Sequence, residues 1–121
     1  AGLLQWASTQ GHLALVETLV SRHGANVLAQ DSLGGGSISA AATTGHAVVV
    51  EYLRSHSAEV TEADAEGRQP LHWAALHGHK EVTRLLLEGR AQPGVRALNG
   101  QSPLDLALSR GRSGLAALLR G

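Results

Sequence analysis

Glycine recurs along this chain at a fixed interval. Gly-His occurs as Gly11-His12, Gly45-His46 and Gly78-His79, and Gly111-Arg112 takes the next register, with steps of 34, 33 and 33 residues. A second series, Gly34, Gly67 and Gly100, also steps by 33. Two independent series at one period identify an internal repeat, so the chain folds as copies of one small unit.

The apolar residues keep the same period. Before each Gly-His come Leu4, Ala7, Ser8; Ile38, Ala41, Ala42; Leu71, Ala74, Ala75; and Leu104, Ala107, Leu108. After it come Leu15, Thr18, Leu19; Val49, Tyr52, Leu53; Val82, Leu85, Leu86; and Leu115, Leu118, Leu119. Every set has i, i+3, i+4 spacing, which is one face of a helix. Each unit is therefore predicted to be helix, tight turn, helix and connecting loop. Pro70 and Pro103 fall at the start of the first helix, where a missing N–H costs least. Ser102 is placed to cap that helix, and the glycine before each His ends it in a left-handed conformation. Each helix spans only two or three turns. Helices shorter than ~12–15 residues are marginal alone, so these must stack on neighbouring units as an all-α solenoid.

Composition fits stacking. Aromatic content is 2%, so a core must be built from Ala, Leu and Val, which requires close helix approach. The absence of Cys excludes disulfides and thiolate metal sites. A formal net charge of zero gives no overall basic bias toward nucleic acid. No apolar run approaches the ~20 residues of a membrane helix, so no membrane insertion is expected.

The third unit reads Asp64-Ala-Glu-Gly67-Arg-Gln-Pro70-Leu71-His72-Trp73-Ala74-Ala75-Leu-His-Gly78-His79, followed by Glu81-Val82 and Leu85-Leu86-Leu87. It resembles the ankyrin repeat family, departing from that family's Thr-Pro-Leu-His only in Gln69. The fourth keeps Asn99-Gly100-Gln-Ser102-Pro103-Leu104 but has Asp105 where His is usual. The second keeps Asp31, Gly34, Ala41, Ala42, Gly45 and His46 but carries Ser37 and Ser39 for Pro and His. The units span approximately residues 1–30, 31–63, 64–96 and 97–121 of a single domain. The first starts without its loop and the last is also incomplete. The resemblance implies first helices along a concave side, second helices along a convex side, and paired loops projecting as fingers. It further implies an intracellular protein-binding module with no catalytic residues, no metal and no cofactor; fold alone does not establish that function.

The three histidines of Gln69–His79 raise a metal-site reading. Zinc needs about three ligands converging on one point. His72 and His77 lie ~140° apart around a helix, and His79 lies beyond its end. The recurrence of His12, His46 and His79 predicts turn hydrogen-bonders, and the resemblance gives His72 a bond to the helix start or neighbouring loop. Trp6 and Trp73 hold equivalent positions, which predicts packing between units. Gly34-Gly35-Gly36-Ser37 lacks the Gly-Lys-Ser/Thr of a phosphate cradle and reads as a finger. No Gly-x-Ser-x-Gly is present, and Asp31 and Asp64 repeat as loop residues rather than as a catalytic pair.

Contact positions should vary where structural positions repeat. In the fingers the varying residues include Leu33, Glu66, Arg68, Leu98, Asn99 and Gln101. At the end of the first helices they include Thr43, Thr44, Leu76, His77, Ser109 and Arg110. These twelve are the predicted partner-binding residues, with Leu33, Leu76 and Leu98 apolar where the fold does not demand it. Charge is graded: residues 31–63 carry one basic against four acidic side chains, and residues 97–121 three basic against one acidic. Apolar residues in the end units, Leu3, Leu4, Leu15, Leu115, Leu118 and Leu119, predict either further repeats in a parent chain or end-to-end self-association. Two rivals to protein binding are a structural spacer within a larger ankyrin protein and a His-based metal protein.

Overall fold

The computed structural model describes residues 3–21, 36–56, 60–61 and 63–120. Among them lie eight helices: α1 (Leu3–Gln10), α2 (Leu13–Ser21), α3 (Ser37–Thr44), α4 (Ala47–Ser55), α5 (Pro70–His77), α6 (Lys80–Glu88), α7 (Pro103–Ser109) and α8 (Ser113–Arg120). The odd-numbered helices pack on one another in series, as do the even-numbered ones, and each odd helix packs on the even helix that follows it. Two helical layers result, as the periodicity predicts.

The local reasons are those of the punctuation. Pro70 and Pro103 open α5 and α7. Gly45 and Gly78 close α3 and α5 with φ of 79° and 76°, a region that costs other residues a Cβ clash. In the first layer the contact residues are small: Ala7, Ala41, Ala42, Ala74, Ala75 and Ala107 are fully buried, so backbones approach closely. Val49, Leu53, Val82, Leu86, Leu115 and Leu119 fill the space beneath the second layer, each side chain contributing about 1.5–3 kcal/mol on burial.

Adjacent pairs are joined through the turns. A Cβ on Gly11 would lie 2.5 Å from His46 Nδ1, one on Gly45 2.6 Å from His79 Nδ1, and one on Gly78 2.5 Å from Arg112 Nη1. Each His or Arg thus covers the glycine of the preceding pair. His79 also donates from Nε2 to the Thr43 carbonyl at 2.9 Å, the turn bond expected of it. His12, in the first pair, is exposed and packs instead against Trp6, ring centres 5.6 Å apart.

Two expectations need correction. Leu108 was assigned to an apolar face but is 47% exposed. Its counterparts Ala42 and Ala75 lie on helices flanked on both sides, whereas α7 packs on only one odd-numbered helix among the described residues. In the end pairs Leu4, Leu115 and Leu119 are buried, while Leu15 and Leu118 are half-buried. Trp6 is 49% exposed, which ends the reading of that tryptophan as packing between units.

Candidate functional site

Around α5, Leu71, Ala74 and Ala75 point to the core. At ~100° per residue, Trp73, Leu76 and His77 occupy the opposite side. The same positions one period later are Leu106, Ser109 and Arg110 on α7. These two outward faces lie side by side beneath two loops, finger A (63–69) and finger B (96–102).

Finger A is organised by one carboxylate. Asp64 Oδ1 accepts from the N–H groups of Glu66 and Arg68, both at 2.9 Å, and Oδ2 lies 3.3 Å from Arg68 Nε. The Arg68 guanidinium then rests 4.5 Å over the Trp73 ring. Finger B has Ala97 in place of that aspartate. Asn99 substitutes by accepting from the Gln101 N–H at 3.0 Å and donating to Gln101 Oε1 at 3.1 Å. The fingers touch where the Leu98 N–H donates to the Glu66 carbonyl at 2.9 Å.

His72 ties finger B to α5. Its Nδ1 accepts from the Gln69 N–H at 3.0 Å, so the hydrogen sits on Nε2, which donates to the Gln101 carbonyl at 3.0 Å. Burial holds its pKa below 6.5, opposed by the Gln101 carbonyl. Asp105, one period on, keeps only the first of these bonds, accepting from the Ser102 N–H at 3.0 Å.

Between the fingers and the outward faces lies a cavity of about 270 Å³. Finger A contributes Arg68; finger B contributes Ala97, Asn99 and Gln101. The helices contribute His72, Trp73, Leu76, Leu106, Ser109 and Arg110. Six of the twelve predicted contact residues meet here: Arg68, Leu76, Asn99, Gln101, Ser109 and Arg110. His77 stands outside the lining, exposed, stacked between Trp73 at 6.4 Å and His79 at 6.2 Å. Partial burial and then His79, Arg110 and Arg112 push its pKa down.

The other five are not gathered in. Leu98 is 80% exposed and Glu66 is exposed, both at the finger junction. Thr43 and Thr44 lie on α3 and spend their hydroxyls on the Ser39 and Ala40 carbonyls at 2.8 and 2.9 Å. Leu33 lies outside the described residues. Trp73 and Leu106 were missed, although the alignment that singled out Leu76 and Ser109 contains them.

The lining has no nucleophile paired with a base. Among the described residues no three His, Asp or Glu side chains group as metal ligands, and no helix is long and apolar enough to cross a membrane. Two cations, an aromatic face, aliphatic carbons and amides line the cavity. No curated protein matches this chain significantly. The sequence model described as "Ankyrin repeats (3 copies)" matches residues 3–97 and 38–121. With nearly the whole chain matched and its helices stacked in two layers, the chain belongs to the ankyrin repeat family.

Proposed function

We propose that residues 1–121 form one ankyrin domain that binds a partner protein through the groove and fingers of its third and fourth helix pairs. Ankyrin repeats are generally protein–protein interaction modules, and the family is typically non-catalytic. The observation that carries the reading is the cavity, where chemically mixed side chains from two fingers and two helices converge. That mixture suits recognition better than a spacer, which needs no groove at all. An intracellular location accords with the family and is part of the same proposal.

Paired affinity capture tests it. One bait is the chain; the other carries Arg68→Ala, Leu76→Ala, His77→Ala and Leu98→Ala with unchanged helical circular dichroism. A protein captured by the first bait and lost from the second is the expected result. Equal capture by both, or none by either, favours the spacer.

A further inference from the structure

We infer that the groove between α5 and α7 takes an extended acidic segment of a partner protein, one carboxylate meeting Arg68 and Arg110 and a neighbouring large apolar side chain lying on Trp73 and Leu76. The inference rests on the protein-binding reading above and specifies what is bound.

Charge comes first. The cavity lining contains two guanidinium groups and no carboxylate. Arg110 has no ion-pair partner among the described residues. Arg68 meets Asp64 only through Nε, leaving the terminal nitrogens available. A desolvated carboxylate facing such a pair gains charge-assisted hydrogen bonds that a neutral residue cannot make. Arg112 lies close by on the same side and reinforces the positive potential.

Preorganisation comes second. The Arg68 guanidinium is held between the Asp64 carboxylate and the Trp73 ring. An arginine already fixed on an aromatic face loses less rotamer freedom when an anion arrives. Gln101 uses its Oε1 on Asn99, and its Nε2 donors have no partner among the described residues. They suit a peptide carbonyl.

Size and composition come third. A space of about 270 Å³ is at or below the lower end of small-ligand pockets, ~300–1,000 Å³, and fits a side chain or two rather than a folded domain. Trp73 and Leu76 supply apolar contact beside the cations. A nucleic acid is a poorer fit. Its affinity grows with the number of phosphates neutralised, whereas this chain has zero formal net charge and finger A carries Asp64 and Glu66 beside Arg68.

The test selects binders from a random peptide display library against the immobilised chain, then measures the enriched sequences as labelled peptides. Oligothymidylate is measured in parallel. Enriched peptides should share an Asp or Glu within two residues of a large aliphatic side chain. Changing that acid to its amide, or Arg110→Gln in the chain, should weaken binding about tenfold or more. Arg84→Gln on α6, the same charge change away from the groove, should leave it unaltered. Enriched peptides without an acid, acidic peptides indifferent to Arg110→Gln, tighter binding of oligothymidylate, or no enrichment would each overturn the inference. Non-acidic peptides that are lost with Leu76→Ala would overturn it while leaving the groove reading intact.

Discussion

The His79 Nε2–H reaches 2.9 Å across to the Thr43 carbonyl of the preceding helix pair, and its ring lies over Gly45. One side chain thereby does two jobs. It satisfies a carbonyl at the end of α3, and it occupies the volume that any Cβ at residue 45 would need. Glycine at 45 is required for its φ of 79° and for its emptiness.

The two requirements can be separated. Gly111 has φ 68° but nothing within 4 Å of a Cβ. Gly111→Ala should cost only the left-handed strain, about 1 kcal/mol. Gly45→Ala should cost about 2–3 kcal/mol, because the ring must move and its hydrogen bond, worth about 1 kcal/mol, is lost. Urea unfolding of the two variants decides it; equal losses would show that the ring contact carries no stability.

Ser102 Oγ accepts from the Asp105 N–H at 3.2 Å while Asp105 Oδ2 accepts from the Ser102 N–H at 3.0 Å. Ser102→Ala should therefore destabilise the fold by about 1 kcal/mol, with amide exchange rising first in α7. The Ser102 N–H, and then its hydroxyl, hold the Asp105 carboxyl below 3.8. A depressed carboxylate stabilises above its unfolded pKa and loses that contribution as pH falls through the folded value. Unfolding midpoints of Asp105→Asn and the parent should converge below about pH 3.8, and parallel curves would count against the cap.

His72 supplies a second pH dependence, at milder acidity. Neutral imidazole is required there, since Nδ1 accepts a backbone hydrogen bond, and burial keeps the pKa below 6.5. The folded state then binds fewer protons than the unfolded one, so stability is complete above 6.5 and falls as pH drops below it. His72→Gln should cost about 1–3 kcal/mol near pH 8 and lose part of the decline that sets in as pH falls below 6.5. An NMR titration placing His72 at or above 6.5 would contradict this account.

Finger A depends on Asp64, which accepts two backbone N–H groups and pairs with Arg68. Asp64→Ala should speed hydrogen exchange at the Glu66 and Arg68 amides and release Arg68 from Trp73. Tryptophan emission then changes while far-ultraviolet circular dichroism stays constant. Finger B, built on Asn99, should keep its exchange rates; if it loosens equally, the fingers act as one unit through the Leu98–Glu66 bond.

The helices, their prolines and their glycine ends were legible because they repeat: the i, i+3, i+4 sets and the 33-residue step report which face of each helix meets the core. The groove was half legible. Variation between aligned units singled out Leu76, Ser109 and Arg110, and the structure brings them together. Trp6 was misread because its equivalence to Trp73 was taken as a sign of packing. Equivalence fixes only the face of the helix, and this face points away from the core. The cover of Gly45 by His79 was not legible at all. Periodicity records where residues recur, while that contact depends on how far a side chain reaches into the unit before it.

That contact also gives the array a direction. At the three described seams the earlier turn presents a bare glycine and the later one a ring or guanidinium, so each seam has the same two halves. Duplicating or deleting a whole 33-residue module in the gene therefore leaves every seam intact. A single-codon insertion inside a helix pair turns its ring away from the glycine. The step from Gly11 to Gly45 is 34 residues, so one extra codon is accommodated between those two turns. Length change in a protein built this way comes in quanta of one module, with the remainder confined to its loops.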